Sequence, residues 1–502
     1  MNFTGTIQDR HKQAQKQIET LDFGAYIAGE NRPASDGNTF NPTDPSINEP
    51  ITTVAQCSST DVNDAVTAAD TAFVESWGVM DVGDRAELIR TWITELRDSV
   101  DELALLQALE IGKPLAYARA DIENGLDFFE YYANVSVAQE GEYIPTGADS
   151  HAYVRQEPYG VTGQILPWNY PILLMGWKVG AALAAGNTTV IKPPSPAPLS
   201  VIRATQLAEE LLPDGVLNVI PGSGGDVGEP IINHPDVQKV SFTGSVPVGQ
   251  SIMRTAADTV TPITLELGGK NPFIIFPDAD IEEAAANAAT GGMYNAGQSC
   301  DSATRILIHE DVRDKFVDAY LDELAGWEPG DPLREETTMG PLAYEEHYQS
   351  VDDYVHVGRE EGASILSGGQ SPKDDELADG AFYRPTVFDN VDPDMRIAQE
   401  EVFGPVQFLM TFSEYQEAIE IANGVEYGLT AGIATENPSV AHRAAADVEA
   451  GSVWINQYFG TVPGTPFGGF NKSGFGRECA QQALDEHMRS KSVNLALGQP
   501  PY

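Results

Sequence analysis

Residues 161–192 read VTGQILPWNYPILLMGWKVGAALAAGNTTVIK. Residues 161–166 are a short apolar run of strand type, and the turn Pro167-Trp168-Asn169-Tyr170 leads into a helical stretch over 171–185. Gly186-Asn187 ends that helix, and 188–191 is a second strand. Outward from this unit the alternation continues, with helices over 199–211, 226–233 and 246–257 and strands over 216–220 and 240–242. A second run begins near Ile263. It passes through a strand at 273–276, a helix at 280–293, a strand at 305–308 and a helix at 310–326. Strands alternating with helices across short turns predict parallel, doubly wound sheets with helices on both faces. The expected fold class is α/β, with two such lobes.

Upstream the pattern is helical. Residues 1–55 are mixed, with turn clusters at Asn31-Arg32-Pro33 and at Asn41-Pro42-Thr43-Asp44-Pro45. From Thr60, the residues Val62, Ala65, Val66, Ala69 and Phe73 fall at helical spacing. Helices are also predicted over 83–111, stopped by Gly112-Lys113-Pro114, and over 119–136. The segment 140–157 interrupts the first lobe and reads as an inserted strand or hairpin outside its sheet.

The chain has 502 residues, 42% of them apolar, enough to bury a sizeable core. Its 75 Asp+Glu against 29 Lys+Arg leave a net charge of -46. A field of that sign repels nucleic acid and anionic membrane surfaces, so neither is an expected partner. The acids are dispersed rather than gathered in a tail, and only 11 of the cations are Lys. That pattern suits a salt-rich cytosol, where screening confines self-repulsion to about 3 Å at 1 M salt.

Cys57, Cys300 and Cys479 are far apart and form no CxxC pair. This argues against a disulfide framework and a structural zinc site, and no metal is expected. No apolar run reaches the ~18 residues of a membrane span, because Lys178, Asn187 and Lys192 cut the longest candidates. No signal-peptide pattern follows Met1-Asn2-Phe3-Thr4-Gly5. The expected location is cytoplasmic.

Four short stretches carry chemistry. Gly222-Ser223-Gly224-Gly225-Asp226-Val227-Gly228 lies between strand and helix, where glycines let backbone N–H groups approach a phosphate. It is one residue longer than G-x-G-x-x-G, and a plain turn has the same pattern. Ser241-Phe242-Thr243-Gly244-Ser245 precedes the next helix; Ser245 is an ordinary cap or part of a pyrophosphate site. Glu266-Leu267-Gly268-Gly269-Lys270 puts a carboxylate at a strand end, as a turn residue or a general base. Gly297-Gln298-Ser299-Cys300 sets a cysteine among polar neighbours, an inert thiol or a thiolate nucleophile.

These stretches occur in order with Pro167-Trp168-Asn169-Tyr170-Pro171, Lys192-Pro193, Glu400-Glu401-Val402-Phe403-Gly404-Pro405 and Pro466-Phe467-Gly468-Gly469-Phe470-Asn471-Lys472-Ser473-Gly474. The series resembles that of the aldehyde dehydrogenase superfamily, over roughly residues 25–495. The resemblance implies two Rossmann-like lobes: a dinucleotide-binding domain of 1–139 and 158–265, and a catalytic domain of 266–452. It implies an oligomerisation element of 140–157 and 480–502, giving a homotetramer or homodimer. Cys300 would attack the aldehyde carbonyl, and Asn169 with the Cys300 backbone N–H would hold the oxyanion. Hydride loss would leave a thioester, and Glu266 would activate water to release the acid. Glu478 would assist a proton relay or serve in a salt bridge.

For the cofactor, the resemblance points to Leu166, Trp168, Lys192, Ser195, Gly225, Thr243, Ser245, Gly268, Glu401 and Phe403. Glu401 would bind the nicotinamide ribose, Phe403 would pack on the ring and Lys192 would reach the adenosine ribose. Many members that use NAD carry Glu where this chain has Ser195. Ser removes a carboxylate that would repel a 2′-phosphate, so NAD or NADP is the expected cofactor.

The aldehyde pocket implied is Tyr170, Leu174, Trp177, Tyr294, Ser299, Asp301, Tyr458 and Phe467. No Arg lies in 170–178 or 294–302, which disfavours a carboxylate-bearing aldehyde. Tyr170, Trp177 and Tyr458 offer part of an aromatic box for a trimethylammonium group, as in betaine aldehyde. A generic apolar pocket for an uncharged aldehyde is the preferred reading of them, with betaine aldehyde as the alternative. Glu266 favours hydrolysis over a coenzyme A-acylating variant, which needs no water-activating base. Cys300, Asn169 and Glu266 together argue against a catalytically silent binding relative.

Overall fold

The computed structural model describes residues 3–498. Its first sheet has eight strands, ordered Glu30–Arg32, Ala25–Ile27, Leu217–Val219, Thr188–Lys192, Val161–Ile165, Val237–Thr243, Ile263–Glu266 and Gly474–Phe475. The five from Leu217–Val219 to Ile263–Glu266 are parallel, and the flanking strands pair antiparallel. Along the chain, the parallel strands run third, second, first, fourth, fifth. The winding therefore reverses between Val161–Ile165 and Val237–Thr243. In such sheets a crevice opens there, beyond the carboxyl ends of the strands.

Every residue of Val161–Ile165 and of Thr188–Lys192 is buried. Helices cover both faces, so these strands read as continuous runs rather than alternating ones. All 14 residues of the helix Pro171–Ala184 are buried. It lies so close to the helix Leu115–Val137 that a Cβ at Gly176 would run into the Gly125 carbonyl.

The second sheet has seven strands: Ser364–Ser367, Thr386–Asp389, Val406–Phe412, Ala303–His309, Asn271–Ile275, Thr430–Ala434 and Ser452–Ile455. All are parallel except the first. The fold is thus α/β with two doubly wound sheets. A third, antiparallel sheet joins Glu142–Ile144, Ser150–Pro158 and Met488–Ala496. The segment inserted in the first lobe therefore pairs with the C-terminal strand. The helix Gln481–Glu486 packs instead on Pro171–Ala184 and Leu115–Val137.

Several elements differ from the sequence expectation. The stretch 83–111 is two helices, Val82–Asp98 and Val100–Ile111, broken at Ser99 where the backbone leaves helical geometry. The helix expected over 199–211 ends at Gln206, and i→i+3 bonds continue it as turns to Leu211. The extra residue of the glycine loop is taken up in one π turn, Gly224–Gly228, which Ser223 caps. A helix at Ile7–Gln17 was not read; a capping box of Thr6 and Asp9 marks its start.

The close helix pair fixes where Pro171–Ala184 sits, so it is sensitive to one methyl group. Gly176→Ala should cost about 1–3 kcal/mol by overpacking. A lowered urea midpoint would register this. Gly224→Ala, whose added methyl meets nothing within 4 Å, should leave the midpoint in place.

Candidate active site

The turn after Val161–Ile165 carries Leu166, Trp168 and Asn169 to the reversal point of the first sheet. Asn169 is buried and held at three places. Its backbone oxygen accepts from Lys113 Nζ (3.1 Å) and Asn295 Nδ2 (3.0 Å), and its own Nδ2 donates to the Gln298 carbonyl (3.0 Å). One N–H of that amide is left over for another acceptor.

Cys300 is presented by a constrained turn. Asn295, Ala296 and Gly297 in succession have φ of +54°, +55° and +69°. Asn271 Nδ2 then donates to the carbonyls of Cys300 (2.8 Å) and Ser302 (2.9 Å), and Gln298 Oε1 accepts from the Ala343 N–H (2.9 Å). Burial pushes the Cys300 thiol well above its ordinary pKa, with the charges of Asp301, Glu266 and Glu401 adding to the rise.

Cys300 and Asn169 line one cavity of about 830 Å³. All ten residues expected at the cofactor line it too: Leu166, Trp168, Lys192, Ser195, Gly225, Thr243, Ser245, Gly268, Glu401 and Phe403. Ser245 is the N-cap of Val246–Thr259, whose amide end faces the cavity. Thr243 Oγ1 is buried there without a partner. Ser195 Oγ donates to the Gly222 carbonyl (3.0 Å), and Lys192 Nζ to Pro193 O (3.1 Å). Burial lowers the Lys192 pKa to about 8. Glu401 Oε1 accepts from the Gly269 N–H (2.9 Å), and burial raises its pKa to about 7. A Cβ at Gly268 would collide with that carboxylate. Phe403 has φ +60° and its carbonyl accepts from His347 Nε2 (2.8 Å). His347, its pKa lowered to about 4 by burial, packs edge-on against Trp168.

Glu266 and Glu478 do not line this cavity. Glu266 is buried at the end of its strand, and neither carboxylate oxygen has a hydrogen-bond partner. Burial, then the nearby charge of Glu478, pushes its pKa well up. Glu478 is buried and its Oε1 pairs with Lys178 Nζ, which also donates to Ser241 Oγ (3.1 Å).

None of the eight expected pocket residues lines the cofactor cavity; Ser299 and Asp301 flank Cys300 in the chain. Tyr170 OH and Ser299 Oγ are 2.8 Å apart, and Tyr458 OH donates to Asp301 O (3.0 Å). Trp177 and Phe467 pack with ring centroids 5.0 Å apart, and Leu174 belongs to the same core cluster. Tyr294 OH donates to Asp121 Oδ1 (2.8 Å). Burial raises the Asp301 pKa to about 6.

Four contributors went unread in the sequence. Lys178 served only as a break in an apolar run; a charge inside a wholly apolar helix needs a buried partner, and that was the available signal. Lys113, read as part of a helix stop, pairs with Asp121 and sits 3.8 Å over the Tyr170 ring. Asn271 and Glu229 carried no local signal; the exposed Glu229 lines the cofactor cavity.

The model of the aldehyde dehydrogenase family matches residues 32–493. DhaS of Bacillus subtilis (strain 168), a protein bearing an aldehyde dehydrogenase name, is 40% identical over 96% of this chain and 98% of its own length. The betaine aldehyde dehydrogenase of Staphylococcus aureus, solved in complex with NAD+, is 38% identical with a TM-score of 0.95, covering 98% of each chain. The aldehyde dehydrogenase KauB of Pseudomonas aeruginosa is 36% identical with a TM-score of 0.95, covering 98% of this chain and all of its own. By family model, sequence and fold alike, this chain belongs to the aldehyde dehydrogenase family.

Proposed function

We propose that the protein oxidises an uncharged or cationic aldehyde to the carboxylic acid with NAD(P)+, through a thioester on Cys300 that is then hydrolysed. The observation that carries this is the meeting of Cys300 and Asn169 with the ten cofactor residues on one cavity. The Cys300 thiolate adds to the carbonyl carbon. The free N–H of Asn169 and the Cys300 backbone N–H hold the oxygen, at ~3–4 kcal/mol per donor. Trp168, Thr243, Glu401 and Phe403 on the cavity would hold NAD(P)+, which when bound would supply the hydride acceptor, loss of hydride from the adduct leaving the thioester on Cys300. Glu266 then removes a proton from water, hydroxide adds to the thioester carbon, and the Cys300 thiolate leaves.

The cavity suits a dinucleotide. Its Gly225 turn leaves open space, Thr243 offers an unused hydroxyl, and a helix N-terminus faces it. Ser195 leaves room for a 2′-phosphate that Lys192 would balance, while Glu229 at the same cavity opposes it. NAD is the cofactor of the S. aureus relative, and here we assign NAD with NADP tolerated.

Asp301 beside Cys300 disfavours a carboxylate on the substrate. A betaine-aldehyde reading is favoured by Asp301 together with the paired rings of Trp177 and Phe467. One face of Tyr170 is already taken by Lys113, which weakens the box. Turnover of acetaldehyde, benzaldehyde and betaine aldehyde in about molar KCl decides between the readings. Acid release without coenzyme A excludes the acylating one.

The third sheet exposes Tyr143, Ile144, Leu495 and Leu497. Apolar side chains on an exposed sheet favour pairing with a second copy, so we assign a homodimer or homotetramer. The division into a dinucleotide-binding lobe, a catalytic lobe and an oligomerisation element follows the same reading, as does a salt-rich cytoplasm.

Cys300→Ala should abolish oxidation and keep cofactor binding. Glu266→Gln should keep the NAD(P)H burst and slow thioester hydrolysis by 10²-fold or more, roughly the worth of a general base. Only ionised Glu266 is a base, and its pKa is raised. Hydrolysis should therefore fail on acidification at a pH well above the usual carboxylate range, as stopped-flow pH profiles would record.

Ser195→Glu sets a carboxylate against a 2′-phosphate. The NADP/NAD ratio of kcat/KM should fall at least tenfold, about 1.4 kcal/mol. An unchanged ratio would remove Ser195 from cofactor choice.

Lowering salt lengthens the screening distance from about 3 Å at 1 M to about 30 Å at 0.01 M. With a net charge of -46, subunits should separate below roughly half-molar KCl and activity should follow. Sedimentation across a KCl series measures this, with sucrose at equal osmolarity giving no protection.

A further inference from the structure

The loop from Lys192 to the helix Leu199–Gln206 reads Pro193-Pro194-Ser195-Pro196-Ala197-Pro198. Its prolines have no N–H, so the loop can make few backbone hydrogen bonds of its own. Pro194, Ser195 and Pro196 line the cofactor cavity. Pro198 stands at the N-cap of the helix and offers no side chain to cap it. The free N–H groups of the first turn are met from a distant element instead. Glu110, buried near the end of the helix Val100–Ile111, accepts from the N–H groups of Leu199 (2.6 Å) and Ser200 (3.2 Å) and from Ser200 Oγ (2.5 Å). A carboxylate there also suits the helix dipole. The far end of the cofactor loop is thereby tied to Glu110.

Three residues on, Lys113 is buried too. Its Nζ pairs with Asp121, donates to the Asn169 carbonyl (3.1 Å) and sits 3.8 Å over the Tyr170 ring. Between the two charges, Ile111 packs with Ala197, Ala343 and Trp168, and Gly112 turns the chain with φ +69°. The segment 332–341 locks this turn. The Pro332 carbonyl accepts from the Leu115 N–H (3.0 Å), and a Cβ at Gly340 would collide with the Gly112 carbonyl. Buried charges are costly unless each is satisfied. Here Glu110 and Lys113 are satisfied by two separate segments of the cavity wall, the loop before Leu199 and the turn at Asn169, and Lys113 also by Asp121.

We propose that Glu110 and Lys113 are positioning residues for the oxidation: Glu110 fixes the cofactor loop 193–198, and Lys113 fixes the Asn169 amide that holds the oxyanion. This rests on the oxidation proposed above. Neither residue lines the cavity, so each acts through the backbone that it holds. With Glu110 in place the loop is ordered before the cofactor arrives, and the cost of ordering it is not subtracted from affinity. With Lys113 in place the spare N–H of Asn169 stays aimed where charge develops, so its effect falls on the chemical step. One turn sets affinity through one residue and rate through the other.

The test uses the intact enzyme in about molar KCl. The Kd for NAD is read from quenching of tryptophan fluorescence. The NADH burst is followed at saturating NAD with acetaldehyde, benzaldehyde or betaine aldehyde. Glu110→Gln should raise the Kd about tenfold, the lower end of the worth of a hydrogen bond to a charged group, and leave the burst rate unchanged. Lys113→Met should leave the Kd unchanged and slow the burst about 10²-fold, the cost of misplacing a catalytic group by ~1 Å. Where a variant does not fold, Ser200→Ala loosens the same cap more mildly and should raise the Kd alone. Lys113→Met joined to Asp121→Asn leaves no unpaired charge and should slow the burst alone. Any other pattern, both readouts moving together or neither moving, overturns that residue's role. A burst missing from the unmodified enzyme with all three aldehydes overturns the oxidation reading and the role of Lys113 with it, while the Kd of Glu110→Gln still judges the hold of Glu110 on the loop.

Discussion

Burial holds protons on three acids at the heart of this molecule. Cys300, Glu266 and Glu401 come from different elements of both lobes, and for each the leading cause of its raised pKa is loss of water. An isolated charge in such a place is costly, so burial shifts each group toward its neutral form. This sets the order of events. Ionisation of Cys300 is tied to both carboxylates, because their charges raise its pKa. A negative charge can form on sulfur only when a cation or an oriented dipole is brought near it, and a resting thiol is thereby kept from wasteful reactivity. The surrounding hydrogen bonds then serve position rather than charge. Asn169, Gln298 and Asn271 spend their amides on backbone carbonyls, locking the turn that carries Cys300.

The same constraint explains why Lys178 and Glu478 are present. Glu266 has no direct partner, and a third charge alone would only raise its pKa further. An ammonium shared between Glu478 and Ser241 keeps the second carboxylate from destabilising the first. A buried pair of this kind is weak evidence for stability, since a well-packed apolar pair often does as well. Inside a helix whose other residues are all apolar, the ammonium is tolerated because Glu478 and Ser241 take up its charge and hydrogens.

Much of this was legible before any coordinates. The strand and helix rhythm from 161 to 257 predicts the parallel sheet because those strands are buried on both faces and keep short turns between them. The cofactor residues were reached through ordered short stretches, and every one falls on a single cavity. What local sequence could not carry were contacts made across long separations. Lys113 sits over the Tyr170 ring, Asn271 reaches forward to Cys300, and Thr264 meets Glu486. None of these residues has a neighbour in sequence that betrays its partner. The break at Ser99 was hidden for another reason: apolar spacing runs through it, and only the backbone angles change there.

The surface charge bears on the cavity as well. A dinucleotide brings phosphates toward a chain whose net charge is -46. The cavity itself offers one lysine, already weakened by burial, and the amide end of Val246–Thr259. Glu229 lies exposed in its lining, and Asp226 is exposed on the adjoining glycine turn. At a screening length of about 3 Å the acids beyond the edge do not reach an approaching phosphate, and the helix end and Lys192 dominate at contact. At about 30 Å the whole surface acts on the phosphates before any contact forms, and the approach becomes uphill. Apart from Glu229 and Glu401 the acids lie outside the cavity, so ionic strength controls entry of the cofactor more than its hold once seated. Loss of salt should therefore slow cofactor association, which stopped-flow binding of NAD across a KCl series would measure.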